Sequence, residues 1–340
     1  MDKILFLGHQ QVSSAFDTFF DGCIQIFGCS NIFEYPILDK YHTIPDFDIS
    51  KLHTDIQPVY GWWCKNIIPT SLELPMSEWA IKINNLELKY IVGTNRAINN
   101  FTELLFLINK ETLPNICIIF IEEEEDHGFE NHRNLIEKLK LVYDKIDIHY
   151  RVDYTYSKIC SYKKIMPFYM SCPEKILLEV DKLKPFEERE FDICFLTESN
   201  HKDRIDYFDL IKNIEGNNLI ICGKHNLSLK DYFSAINNSK IFISVRGNGW
   251  SNTRNVEGPR LGAALFADEL EITIPFNYIE NESAIFFNRK TLVPRLLEYL
   301  NDNNRLKILA QKSYEHCLSY HTTRQRAAQM IAAAKIIKCW

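Results

Sequence analysis

Residues 241–262 read Ile241-Phe-Ile-Ser-Val-Arg-Gly-Asn-Gly-Trp-Ser-Asn-Thr-Arg-Asn-Val-Glu-Gly-Pro-Arg-Leu-Gly262. An apolar, β-branched run enters a turn with two glycines, and an arginine-bearing polar segment leads into a short helical pattern. A strand that hands the chain to a helix through such a turn is the repeating step of an open parallel α/β sheet. Ligands of such sheets collect outside the carboxyl ends of the strands. Gly247 and Gly249, on either side of Asn248, let the backbone approach a ligand closely because no Cβ intervenes. Ser251, Asn252 and Thr253 suit a helix N-cap, whose free N–H groups favour an anion such as a diphosphate. Arg246, Arg254 and Arg260 add guanidinium forks matched to phosphate oxygens. Glu257 follows Arg254 on the same helical face and can accept hydrogen bonds from ribose hydroxyls. The same letters also describe a surface turn followed by an Arg254–Glu257 helix pair, and residue chemistry alone weighs the two readings about evenly.

Working outward, short β-rich runs alternate with helix-period segments along the chain. Lys3–Gly8, Leu88–Gly93, Ile116–Ile121 and Ile146–Val152 read as strands, and Glu130–Lys145 reads as a helix with one apolar face. Residues 40–85, with Pro45, Pro58, Pro69 and Pro75, read as loops and short helices. After the polar stretch Asp181–Glu190 a second cycle begins. Phe191–Thr197, Asn218–Cys222, Lys240–Val245 and Ala263–Ala267 are its strands, and Arg204–Ile214 and Leu229–Asn238 its helices. Lys290–Leu300, Asn304–Leu318 and Thr322–Ile337 complete the chain as helices. The expected fold class is α/β, with two Rossmann-like domains facing a cleft and C-terminal helices closing the body. The expected domains are 1–185, 186–320, and a helix over 321–340 packing back toward the first domain.

The 340 residues carry a formal net charge of −6, which argues against a nucleic-acid partner, since neutralising phosphates takes a basic surface. No apolar run approaches the roughly 20 residues of a membrane span, and Met1–Gly8 lacks the pattern of a secretory signal. The ten cysteines form no C-x-x-C pair, and with Cys117, Cys194 and Cys222 inside apolar runs they read as reduced thiols of a cytoplasmic protein. No His/Cys set has zinc spacing, and Asp46-Phe47-Asp48 lacks the preceding strand of a metal-binding Asp-x-Asp, so no metal and no cofactor are expected. The cluster Tyr60–Trp63 reads as core packing ahead of a ligand-stacking surface.

Tyr232–Asn238, Ser239–Gly249, Arg254-Asn-Val-Glu257 and Gly262-Ala-Ala-Leu265 together resemble the C-terminal domain of GT-B-fold glycosyltransferases. The type is "glycosyl transferases group 1", of bacterial surface-glycan and spore-protein enzymes, with an echo of the exostosin domain. In that pattern a glycine stands five residues after the glutamate of Arg-x-x-Glu, as Gly262 does after Glu257. Asn281–Phe287 resembles the family's next strand, Asp302–Ala310 its penultimate helix, and His321-Thr-Thr-Arg-Gln-Arg-Ala327 its terminal His-Thr-x-x-x-Arg-Ala helix. Pro259 and Arg260 depart from the pattern, and the proline implies a short or kinked helix.

The resemblance implies a metal-independent hexosyl- or related transferase moving a sugar from a nucleotide-activated donor to a glycan, lipid-linked or protein acceptor in surface-polysaccharide or glycoconjugate synthesis. Glu257 would bind the ribose, and Arg254, Arg246 and the Gly247–Gly249 backbone the phosphates, with Lys202 or Arg204 helping from the opposite loop. Lys224 and His225 would lie near the base. Fixed cations would then stabilise the leaving diphosphate as a divalent ion does elsewhere. The acceptor's general base is expected from the first domain: His9, which also reads as a loop or capping histidine, or Asp126 or His127 in a run that also reads as a solvated acidic loop. A non-catalytic relative binding glycan or nucleotide is the competing reading, and a nucleotide-sugar epimerase a weaker third. Arg324, Arg326, Lys335 and Lys338 on the last helix admit peripheral contact with the inner face of a membrane, although a helix closing the body explains them better.

Overall fold

A computed structural model describes residues 2–9, 14–38, 74–123, 133–152, 164–172, 176–177, 180, 182–197, 202–212, 214, 219–222, 227–247 and 252–340. The chain divides into one unit of Met1–Tyr169 with Thr323–Trp340 and a second of Met170–Thr322. Each is built on one parallel sheet, as the alternation of strand and helix signals predicts.

In the first unit the strands are β1 (Ile4–Leu7), β2 (Ile32–Tyr35), β3 (Tyr90–Thr94), β4 (Cys117–Glu122), β5 (Ile148–Arg151) and β6 (Ile165–Pro167). They lie in the order β2-β1-β3-β4-β5-β6. Every residue of β1, β3 and β4 is buried, which is why these strands read as unbroken apolar runs instead of alternating ones. The helix α1 (Ser14–Phe27) covers one face, with the rings of Phe16, Phe19 and Phe20 all within 5.7 Å of the Phe6 ring centroid. On the other face α2 (Met76–Asn84) and α3 (Ile98–Leu107) bury Trp79 and Phe101 with Phe120 of β4. The helix expected over Glu130–Lys145 is shorter. α4 spans Arg133–Lys140, and the chain then tightens into a 3-10 turn at Tyr143–Lys145 that buries Val142. α1, α3, β2 and β6 are elements that the sequence reading did not identify. Most of the 40–85 segment, with Asp46–Asp48 and Tyr60–Trp63, lies outside the described residues.

In the second unit β7 (Phe191–Leu196), β8 (Leu219–Cys222), β9 (Ser239–Ser244), β10 (Ala264–Asp268) and β11 (Ile285–Phe287) form a sheet ordered β11-β10-β9-β7-β8. Its helices are α5 (Lys202–Ile211), α6 (Leu229–Asn237), α7 (Arg254–Arg260), α8 (Leu292–Leu300) and α9 (Asn303–Tyr320). α10 (Thr323–Lys338) belongs to the first unit and packs there on α1. There the Thr323 hydroxyl donates to Asp21 Oδ2 at 2.8 Å and accepts from Gln25 Nε2 at 3.0 Å. Of the basic residues on this helix, Arg326 is buried and Lys338 pairs with Asp147 at 2.8 Å. Arg324 and Lys335 are exposed, as is Ile336. No helix among the described residues is long and apolar enough to cross a membrane.

The glycine after Arg-x-x-Glu has a specific physical reason. Gly262 sits at φ +78°, and a Cβ there would stand 2.6 Å from Arg189 Nη2. Arg189 cannot easily yield. Its guanidinium is buried, donating to the carbonyls of Ser239 at 2.7 Å and Leu261 at 2.9 Å and twice to that of Lys184. Desolvation pushes its pKa down to about 10, a measure of how dry the site is. Gly262→Ala therefore combines left-handed strain with a displaced arginine and should cost about 2–3 kcal/mol of stability, read as a lower denaturation midpoint.

Candidate functional site

In both sheets the strand order reverses next to the first strand, between β1 and β3 and between β7 and β9. The crevices beyond the carboxyl ends at these reversals are where open α/β sheets bind ligands. In the second unit that place is filled by the segment after β9 and by the start of α5.

The segment is held from inside. Arg246 N–H donates to Asp268 Oδ2 at 2.9 Å, and the Arg246 guanidinium pairs with Asp203 of α5 at 3.0 Å. Arg204 is buried, with Nε donating to Arg246 O at 2.9 Å and Nη2 to Val245 O at 3.5 Å. A Cβ on Gly247 would stand 2.9 Å from that same Nη2, so here the missing side chain makes room for an arginine. Asn252 closes the turn by donating to Val245 O at 3.0 Å and accepting Arg254 N–H at 2.9 Å. Arg204 and Arg246 thus brace the turn, and Lys202 at the start of α5 is exposed. Asn248, Gly249, Ser251, Lys224 and His225 lie outside the described residues.

α7 is a seven-residue helix with Pro259 inside it, short as the proline implies. Glu257 is 3% exposed, and its Oε2 accepts the Tyr232 hydroxyl at 2.6 Å. Burial, with the Glu257 charge close by, holds the Tyr232 phenol well above its usual range, so the tyrosine stays a donor. Arg254 and Arg260 make no side-chain hydrogen bond or ion pair among the described residues, and the Nε of each is buried. The simple Arg254–Glu257 helix pair is therefore not what this segment forms. Buried arginine Nε donors without partners among the described residues are what a bound anion would satisfy.

Asp268, at the end of β10, is the acidic neighbour that sequence reasoning missed. Burial raises its carboxyl to about 7, against the lowering pull of Arg246. Its folded pKa lies above the unfolded value. Its contribution to stability is therefore complete below about pH 4 and is lost as pH rises through 7, by up to about 4 kcal/mol. Asp268→Asn keeps an acceptor for Arg246 N–H and removes the charge. It should raise the denaturation midpoint at pH 8, with the gain vanishing below about pH 4.

At the matching place in the first unit, His9 follows β1 and its Nε2 lies 3.3 and 3.4 Å from the two oxygens of Glu123. Glu123 follows β4 directly and is 7% exposed. It also accepts the Thr94 hydroxyl, has Arg96 Nε at 3.8 Å, and donates its own N–H to Asn95 Oδ1 at 2.9 Å. The preceding residue, Glu122, engages His149 at 3.1 Å and Arg151 at 3.6 Å instead. The first two residues of the acidic run are thus buried and partnered, not solvated. Asp126 and His127 lie outside the described residues.

Residues 206–332 match the family described as "Glycosyl transferase-like". Solved structures align over nearly the whole chain, and they are GT-B glycosyltransferases. The Anabaena protein HepE in complex with UDP aligns over 98% of this chain and 100% of its own, with TM-score 0.60 and 10% identity. An alpha-glucosyltransferase bound to UDP and a DNA containing an HMU base covers 98% and 99%, with TM-score 0.56 and 12% identity. Sucrose-phosphate synthase from Thermosynechococcus elongatus covers the full length of both chains, with TM-score 0.51 and 8% identity. No curated protein matches the chain. The fold expected from the sequence, two Rossmann-like domains of GT-B type, is the one these structures share.

Proposed function

We propose that the chain transfers a sugar from a nucleotide-activated donor to a hydroxyl of a glycan, lipid-linked or protein acceptor. The observation that carries this reading is the buried Glu257 carboxylate, oriented by Tyr232 at 2.6 Å on a helix that enters from the switch-point turn. A fixed carboxylate acceptor, on the helix that carries arginine Nε donors without partners among the described residues, matches a ribose next to a diphosphate. The segment also lies within the residues that match the glycosyl transferase-like family, and HepE was solved with UDP.

In the reaction the bond from the anomeric carbon to the diphosphate breaks, and the acceptor oxygen bonds to that carbon. Negative charge grows on the leaving diphosphate, where Arg254, with Lys202 beside the turn, would stabilise it. This assigns to side chains what a divalent ion does in other donor sites, so transfer should proceed unchanged in EDTA. Arg246 and Arg204 act as positioning residues, because their guanidinium groups hold the turn. The acceptor proton goes to His9. With Nε2–H directed at Glu123, the basic lone pair falls on Nδ1, which has no partner among the described residues. Nδ1 is covered, so the ring must turn slightly to meet an acceptor oxygen. Glu123 fixes the tautomer and stabilises the imidazolium that forms. The cellular setting we assign, surface-polysaccharide or glycoconjugate synthesis in the cytoplasm, rests on the resemblance of the 232–265 segment.

The test is release of free nucleotide on incubation with UDP-, GDP-, ADP- and dTDP-sugars. At least one donor should turn over, and its nucleotide should raise the melting temperature. No turnover and no stabilisation with any of them would end the proposal.

A further inference from the structure

We propose that the second unit carries a separate carbohydrate subsite between the loop Phe276–Ser283 and the C-terminal half of α9, there to hold the acceptor's sugar chain. The choice of an acceptor chain rests on the transferase reading above; the cavity itself stands on its own geometry. It has a volume of about 490 Å³ and is lined by Phe276, Ile279, Glu282, Lys312, His316 and Tyr320 among others. This is within the range of small-ligand sites. Lys312, Glu315, His316, Ser319 and Tyr320 recur at helical spacing and form one stripe of α9.

Its walls are aromatic and open. The Phe276 ring lies parallel to that of Tyr320, with centroids 5.1 Å apart and planes 3° apart, and the two residues are 54% and 37% exposed. Phe276 adopts φ 55°, a left-handed conformation that a bulky residue rarely takes. An exposed aromatic held in that conformation is a feature expected at ligand clamps. The loop is anchored so that the rings stay in place. His316 Nε2 lies 2.9 Å from Phe276 O, and its ring lies 4.8 Å from Tyr278 and 4.9 Å from Tyr320. Ser313 of α9 donates to Ser283 O at 2.6 Å and accepts Leu265 N–H at 3.3 Å.

The chemistry of the lining selects the ligand. Flat ring faces accept the C–H face of a pyranose, and a polar rim supplies partners for its hydroxyls. That rim holds Glu282, the Lys312–Glu315 pair at 3.3 Å, and Ser319. Two carboxylates against one ammonium repel a phosphate, which sets this place apart from the guanidinium-bearing helix α7. A purely apolar ligand would leave the three charges desolvated without compensation.

Saturation-transfer NMR on the full chain with cellotetraose, maltotetraose and chitotetraose tests this. At least one should receive saturation from the wild type. The signal should weaken about fivefold or more in Phe276→Ala, and in Ser319→Trp, which fills the cavity and leaves both rings. The thermal shift with UDP should be unchanged in both variants. No transfer to any of the three sugars, or transfer undiminished in both variants, overturns the subsite. Sugar binding that needs Phe276 while UDP gives no thermal shift in the wild type supports the subsite and counts against the donor reading alone.

Discussion

Glu257→Ala should lower kcat/KM for the nucleotide sugar by about 100-fold or more, while the purified variant stays folded. A hydrogen bond to an ionised group contributes about 1.5–3 kcal/mol, and a ribose presents two hydroxyls to one carboxylate. The loss should appear mainly in donor affinity, because those hydroxyls are bound in the ground state as well as the transition state. Glu257→Gln keeps the shape and should retain part of the affinity. Tyr232→Phe leaves the carboxylate in place but unoriented, with an expected loss of about tenfold. Steady-state kinetics with the best donor, together with UDP titration by calorimetry, reads all three. Full activity in Glu257→Ala would remove the basis of the proposed donor site. A wild-type chain that binds UDP through Glu257 yet turns over no donor would instead match the non-catalytic relative that the sequence also allowed.

How much of this was legible beforehand depends on which physical signal each residue emits. The run Ile241–Val245 and the Arg254–Glu257 spacing announce a strand, a turn and a helix locally, so the second sheet and Glu257 could be read directly. Tyr232 could not. On a helix it reads as one more apolar-face residue, and only the fold shows its hydroxyl against a carboxylate 25 positions away. One signal was available: a buried tyrosine hydroxyl usually has a partner. The arginines mislead in the other direction. Arg204 and Arg246 have the type and spacing of phosphate ligands, yet their donors go to Val245, Arg246 itself and Asp203. Composition does not distinguish a guanidinium that braces a loop from one that faces a ligand. α1 was overlooked although Phe16, Phe19, Phe20, Cys23 and Phe27 have helical spacing, all buried; its signal was present and unused. β6, three residues long, emits almost none.

The acidic run after β4 is the most instructive case, and it carries the second large prediction. Glu122 and Glu123 look like the start of a solvated loop because charged residues are rarely buried unpaired. Each is buried because a partner set awaits it: His149 and Arg151 for Glu122, and His9, Thr94 and Arg96 for Glu123. Those partners come from three strands distant in sequence, β1, β3 and β5, so only the parallel sheet brings them together. If His9 is the base, His9→Ala should reduce kcat by about 10²–10⁴ while UDP binding is unchanged. Glu123→Gln should reduce it by about 10-fold or more, since an amide holds the ring but does not compensate the imidazolium charge. A kcat split of this kind differs from the affinity loss expected at Glu257, so the two sites report independently. Were His9→Ala to keep full kcat, the proton acceptor would have to be sought at Asp126 or His127, and the dyad would be a fastening of strand ends only.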